Sequence, residues 1–548
     1  MSTVRLGAES TDARTLAVQP SASQGRRWVW PAGFIAVGLV LFAAYLAEAR
    51  TVPIMSDTAS NALQAWDMLH GNLLLRGWTV TDVSFYTTEL PEYALVEAAH
   101  GLGAESAHIA AALTYTLVVI GAALLAKGRA GGREGLIRAV LAGGILVAPP
   151  VHTATVAALL SDPDHTGTQV LLLVIWLILD RARPRWFVPV IVAALLAWGQ
   201  VADPLVMYEG AAPLVLVCAM RLYRRRDVLA GQLRESWYEL SLAAGAIVSV
   251  KVAGLALELI RHAGGFKVWQ PLQTFAVIGS LYNNLWVTVQ SVLVLFGADF
   301  SRQPLNAHAG IALVHLVGVA LAGWGVARAL RRFTSCELVV QVLAVTAVVL
   351  LAAFILNGKP NTTNGPHEIV GLLVVGAILA GRLLGGQLIR DRHLAVLGVV
   401  LACYLAVLAH GVVQRPPYDP NRRLADWLQA HHLDYGLATY WNASVVTLDS
   451  GGRVQVRPVN RAPGSDRIVA VQWESASSWY DPRLHDARFL VLPGPRTGCS
   501  SGTPGQWLAA VRAAYGPPAA SYRAVGAVIL VWHKNLLDHV SKPVGRYC

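Results

Sequence analysis

Apolar runs of roughly 17 to 25 residues recur along the first three quarters of the chain, separated by short polar or basic connections. Each is long enough to cross about 30 Å of hydrocarbon as a helix. The runs at 30–49, 108–126, 137–160, 166–180, 187–201, 205–222, 239–260, 308–328, 337–356, 369–387 and 393–413 predict about eleven crossings. Helices are the only elements that fit, because backbone polar groups in lipid must be paired within the segment. A further apolar stretch, 275–298, is interrupted by Tyr282, Asn283, Asn284 and Trp286. Such side chains suit the headgroup zone, so this stretch is predicted to lie along the interface.

Charge orients the pattern. Arg26 and Arg27, then Lys127, Arg129, Arg133 and Arg138, then Arg181, Arg183 and Arg185 fall on one side, joined by Arg221, Arg224, Arg225, Arg226, Arg328, Arg331, Arg332, Arg390 and Arg392. The positive-inside rule makes that side cytoplasmic and places the chain in the cytoplasmic membrane. The net charge of +11 is then a topology signal, and no nucleic acid partner is implied. With 55% hydrophobic and 14% charged residues, the composition excludes an ordinary soluble protein.

Three regions follow. Residues 1–27 read as a disordered cytoplasmic tail, 28–413 as a membrane domain with a long first outward loop at 50–107, and 414–548 as an extracytoplasmic domain. In the last, helical patterns at 421–431 and 505–515 alternate with strand-like runs at 453–459, 488–492 and 527–532. The fold class expected is an all-α polytopic bundle with a small C-terminal α/β domain. Cys218, Cys336 and Cys403 lie in or beside spans and read as small buried residues, whereas Cys499 and Cys548 in the outer domain are disulfide candidates.

Acidic residues gather in the outward loops. Asp57 follows the first span, at the start of a helical pattern (Ala62, Ala65, Trp66, Leu69) suited to rest on the membrane. Next to Ser56 and Thr58 it fits a helix cap as well as a catalytic carboxylate. The second outward turn, Ser161-Asp162-Pro163-Asp164-His165-Thr166, carries two carboxylates and an imidazole, a set suited to a divalent cation or a phosphate-bearing substrate. Asp203 and Glu209 flank a third turn, and Lys359 and His367 lie in a fourth, where they could contact a phosphate or an acceptor. Asn361 and Asn442 begin glycosylation sequons.

An acid just after the first span, a second acidic outward loop, about eleven crossings and an outer C-terminal domain together resemble the GT-C superfamily of membrane glycosyltransferases. Its members include protein mannosyltransferases and aminoarabinose transferases. Ser56-Asp57-Thr58 through Leu73, then Phe85-Tyr86-Thr87-Thr88-Glu89-Leu90-Pro91-Glu92-Tyr93, is similar to that superfamily's opening loop, and Tyr435-Gly436-Leu437-Ala438-Thr439-Tyr440-Trp441 to outer domains of bacterial members. Many members carry an Asp-Glu pair where this chain has Asp57-Thr58. The resemblance implies inverting transfer of a sugar from a polyprenyl-phosphate donor to a glycan, lipid or protein acceptor of the cell envelope, with Asp57 as general base. Asp162, Asp164 and His165 would position the acceptor or, for Asp164 and His165, hold Mg or Mn. Arg76, Glu89, Lys267, Lys359 and His367 are the substrate-binding candidates. The rival readings are a lipid or polyol transporter, for which Lys251 and Glu258 in one span are the best sign, and a non-catalytic assembly protein on the same scaffold.

Overall fold

The computed structural model describes residues 23–161, 163–224, 236–269, 274–300, 306–358, 365–388, 391–462, 465–492 and 503–542. Asp162, Lys359, Asn361, Cys499 and Cys548 lie outside the described residues, as does most of the N-terminal tail. The helical part runs α1 (Ser23–Ala49), α2 (Ser56–Leu69), α3 (Glu89–His100), α4 (Ala104–Lys127), α5 (Gly132–Leu146), α6 (Ala154–Leu160), α7 (Thr166–Arg181), α8 (Phe187–Ala202), α9 (Ala212–Arg224), α10 (Trp237–His262), α11 (Leu281–Leu295), α12 (Ala307–Arg331), α13 (Leu338–Leu356), α14 (Gly365–Glu368), α15 (Val370–Leu384) and α16 (Asp391–Val412).

Every predicted span is helical, but only six helices among the described residues are long and apolar enough to cross a membrane: Pro31–Ala49, α4, α10, α12, α13 and His393–Val412. The span expected at 137–160 is broken between α5 and α6, where Pro149 and Pro150 remove backbone donors. That expected at 205–222 opens with a π-helical turn, Met207–Ala211, before α9. The stretch expected along the interface forms α11, with Tyr282, Leu285 and Trp286 exposed. Apart from Arg382 in its last turn, α15 is apolar on every side and buried throughout most of its length, as such a helix must be inside a bundle. Glycines bring it against α12: a Cβ at Gly325 would lie 2.6 Å from the Ala380 nitrogen, and one at Gly376 2.8 Å from the Ala322 Cβ.

The arginine-bearing ends meet at one end of the bundle. Buried Arg382 pairs with Asp180 and Glu337 and donates 3.0 Å to the Leu125 carbonyl, while Arg181 donates 3.1 Å to the Leu124 carbonyl and Arg129 3.2 Å to that of Asp180.

The C-terminal part adds α17 (Pro420–Ala430), α18 (Tyr440–Asp449) and α19 (Pro504–Tyr515) around a six-stranded sheet. In chain order the strands of the protein are β1 (Trp78–Val80), β2 (Lys267–Val268), β3 (Tyr435–Ala438), β4 (Gln455–Arg461), β5 (Ile468–Ala470), β6 (Ser475–Ala476), β7 (Phe489–Leu492), β8 (Ala520–Ala524) and β9 (Ala527–Val531). The sheet order is β5-β4-β3-β7-β9-β8, with β3 parallel to β4 and β7. Two devices bind this domain to the helical part. A second sheet, β2-β1-β6, pairs Thr79 with Lys267 on one side and with Ser475 on the other. In addition, Ala59, Ala62 and Ala65 of α2 pack with Val445 and Leu448 of α18 and with Tyr93 and Val96 of α3. The helix expected to lie on the membrane is therefore an internal strut: its small side chains let neighbouring backbones approach closely, and burial of that face needs no lipid.

Candidate functional site

The first outward loop is fastened to the end of α8. Ser84 donates 2.7 Å to the Val201 carbonyl, the amides of Ser84 and Phe85 reach the Ala202 carbonyl at 2.8 and 3.1 Å, and the Thr87 hydroxyl reaches that of Trp198 at 2.6 Å. This places Glu89 over the start of α7, where Gly167 leaves room for it: a Cβ at 167 would lie 2.5 Å from Glu89 Oε1. Glu89 is buried, with Thr88 donating to one oxygen and Thr168 lying 3.5 Å from the other. Though drawn from the sequence as a substrate-binding candidate, it points into the protein.

Asp203, whose role the sequence left open, is the hub. It is wholly buried; Oδ1 accepts from the Leu205 amide at 2.8 Å, and Oδ2 from Thr168 at 2.7 Å and His165 Nδ1 at 2.8 Å. His165 holds a left-handed backbone (φ +48°) ahead of α7, which turns its ring inward. Its Nε2 lies 3.6 Å from Asp164, and the ring stacks on His367 at 5.5 Å between centroids. Burial opposes charge on His165, yet Asp164 and Asp203 together outweigh it and hold the imidazolium well above its usual range. Burial would raise Asp203, but the adjoining His165 charge and hydrogen bonds bring it below the usual carboxylate range. Burial, aided by the His165 charge, pushes His367 down to about 3. Burial also raises Asp82, Glu89, Asp164 and Glu368; for Asp82, Asp164 and Glu368 the His165 charge opposes it, and neighbouring acids add a smaller push upward.

Asp57 joins this cluster. Its charge acts on both Asp164 and His367. It does not cap α2: the helix follows Met55, with no side-chain cap, and Asp57 Oδ1 instead accepts from the Tyr440 hydroxyl of the C-terminal domain. That hydroxyl also meets Glu474. Arg76 and Lys267 stay exposed beside β1 and β2, outside the cluster. Tyr440 fell within the Tyr435–Trp441 phrase but carried no site signal, because 383 residues separate it from Asp57, and no local pattern marks Glu474. Asp82 and Glu368 carried no signal beyond being acids in outward loops.

Asp164, His165 and His367 each present one ligand atom, all within 4.8 Å of one another. Two imidazoles and a carboxylate, with Asp203 holding the far nitrogen of His165, form a donor set that suits zinc or manganese better than the magnesium also expected from the sequence, since magnesium prefers oxygen ligands.

No protein-family model matches the chain. No curated protein matches it either. Among solved structures it is similar to ArnT from Cupriavidus metallidurans: the apo state gives a TM-score of 0.55 at 14% identity, and the form bound to undecaprenyl phosphate 0.54 at 14%, each covering 92% of this chain and 98% of that one. The apo oligosaccharyltransferase of Archaeoglobus fulgidus gives 0.48 at 12% identity over 86% of this chain and 70% of that one. At such identities the likeness is one of fold: this chain has the GT-C fold, with a multi-pass helical bundle and a small C-terminal α/β domain.

Proposed function

We propose that this GT-C-fold chain is a membrane glycosyltransferase that moves a sugar from a polyprenyl-phosphate donor to a hydroxyl-bearing acceptor of the cell envelope. One observation carries the reading: Asp57, drawn from the first outward loop, shares one end of the bundle with the Asp164–His165–His367 cluster, while the arginine ring of Arg382, Arg181 and Arg129 marks another. Undecaprenyl phosphate bound to ArnT, in the same fold, supports a lipid-phosphate donor. The positive-inside rule sets the arginine end, and with it the N-terminus, in the cytosol, and the acidic chamber on the outer face of the cytoplasmic membrane.

In this reading Asp57 is the general base. It takes the acceptor hydroxyl proton as that oxygen attacks the anomeric carbon, the bond to the lipid phosphate breaks, and configuration inverts. Asp164, His165 and His367 would hold a divalent cation, which when bound neutralises charge developing on the leaving phosphate. A cation there would have to displace the Nε2 proton of the His165 imidazolium, and Asp203, accepting from Nδ1, would keep the remaining proton on that nitrogen and Nε2 toward the site. The transporter reading is less well supported: Lys251 and Glu258 are exposed on α10, with Glu258 beside Arg261 and His262, and do not line the bundle interior.

The test is sugar transfer in membranes carrying the parent or Asp57→Asn, supplied with a panel of undecaprenyl-phosphate sugars. Transfer by the parent and its loss in the variant are expected. Full transfer by the variant removes Asp57 from the mechanism, and no transfer by the parent favours the other classes.

A further inference from the structure

The Tyr440 hydroxyl touches two carboxylates at once, Asp57 Oδ1 and Glu474 Oε2. A phenol has one proton to give, so both contacts are hydrogen bonds only when one carboxyl carries a proton of its own. Burial decides which. Glu474 is 1% exposed and Asp57 half-buried, and the more deeply buried acid is the costlier to ionise.

The arrangement is independently anchored. Ser60 on α2 donates 2.9 Å to the Glu474 carbonyl, Ser56 donates 2.7 Å to that of Tyr440, and β6, directly after Glu474, pairs with β1. Trp473 packs edge-on to Trp269. Glu474 itself holds a left-handed backbone (φ +48°), an uncommon conformation for a side chain of this size and one that neighbouring contacts must enforce.

We propose that Tyr440 and Glu474 are positioning residues supplied by the C-terminal domain, forming a directed chain in which protonated Glu474 donates to Tyr440 and Tyr440 donates to ionised Asp57, leaving Asp57 Oδ2 for the acceptor. The functional weight of this chain rests on the reading of Asp57 as general base, and it deepens that reading: the outer domain completes the catalytic carboxylate. Losing a donor to its charged form makes a carboxylate easier to protonate. Across the site the Asp57 charge acts on Asp164 and His367. Of the other titratable groups on elements packed against α2, Glu92 is held by Thr114 and Glu105 by Arg50; the rest are Glu89, Tyr93, Glu97 and His100 on α3, His108, Tyr115 and Lys127 on α4, and Asp449 on α18. All are the same in the variants below.

Infrared difference titration of the full-length detergent-solubilised protein, each form against its own Asp57→Asn counterpart, reads the ionisation of Asp57 with no substrate present. The expected Asp57 midpoint in Tyr440→Phe lies about 1–2 pH units above the parent's, the span set by a hydrogen bond to a charged group. Glu474→Gln, whose amide can still donate to Tyr440, stays near the parent, while Glu474→Ala, which leaves the Tyr440 proton for Asp57, is displaced less than Tyr440→Phe. Coincident midpoints in the parent and Tyr440→Phe overturn the proposal, as does a Glu474→Ala or Glu474→Gln midpoint displaced as far as that of Tyr440→Phe. A parent that transfers no sugar sinks the transferase reading and leaves this titration standing; the converse also holds.

Discussion

Asp203→Asn perturbs one atom and should disable the cation site. In the parent, Asp203 Oδ2 accepts from both His165 Nδ1 and Thr168 while Oδ1 accepts from the Leu205 amide. An asparagine keeps an oxygen for Leu205 but turns a donor toward His165. The Thr168 hydroxyl can rotate and accept; the imidazolium can escape only by giving up its Nδ1 proton and keeping the one on Nε2, the nitrogen beside Asp164 and the one the ligand cluster needs. Changes to such supporting groups weaken metal affinity about 10- to 100-fold, or about 1.4 to 2.7 kcal/mol. The full penalty for stranding a buried charge, about 3–5 kcal/mol, does not apply, because His165 can lose its proton. Calorimetric titration of the purified protein with zinc or manganese measures the effect, and thermal unfolding without metal checks that the fold is kept. Parent and variant binding with equal affinity would refute the argument; a parent that binds neither metal would refute the site.

Two structural substitutions test how the ends of the bundle are held. Gly167→Ala puts a methyl group 2.5 Å from Glu89 Oε1 in a fully packed place, and should cost about 1–3 kcal/mol and lower the unfolding temperature; an unchanged midpoint means Glu89 moves freely. Arg382→Gln leaves Asp180, whose side chain is 3% exposed, without its cation and should cost about 3–5 kcal/mol, much of it recovered by adding Asp180→Asn; a single variant as stable as the parent means the pair contributes nothing.

How much of this was legible in the sequence depends on how local each signal was. The spans were readable because a run of apolar residues is its own evidence, although run length alone did not show that Pro149 and Pro150 break one of them or that α15 is sheathed in protein. Asp57, Asp164, His165 and His367 were picked out by residue type and loop position. What decides their chemistry was not local. Asp203 acquires its role only when α8 is set beside α7, and Tyr440 only when the outer domain docks on α2. In that domain β4, β7 and β9 were marked by β-branched or apolar runs, but β6 has two residues and exists because β1 pairs with it. The helix of α2 was foreseen and its surroundings were not: alanines at helical spacing suit a membrane surface and a close helix contact equally.

A cluster that gathers Asp82, Glu89, Asp164, Asp203 and Glu368 looks hostile to a phosphate, and the resolution lies in where the protons sit. Burial raises Asp82, Glu89, Asp164 and Glu368, favouring their neutral forms, and the one depressed acid, Asp203, is matched by the imidazolium of His165. The cluster thus carries less negative charge than a count of its acids suggests. Raising the pH strips protons from the raised acids, Glu89 among those furthest above their usual range, and from His165; each loss adds negative or removes positive charge beside the lipid phosphate. A phosphate monoester, with a second ionisation near pH 6, changes little above neutrality, so the trend belongs to the protein. In low dielectric each such change is worth far more than in water. Undecaprenyl phosphate should therefore bind metal-free protein at least several-fold more weakly at pH 9 than at pH 7, as measured by calorimetry in detergent. Affinity that holds or rises over that interval would mean that the buried acids do not face the phosphate, and the chamber would have to be relocated.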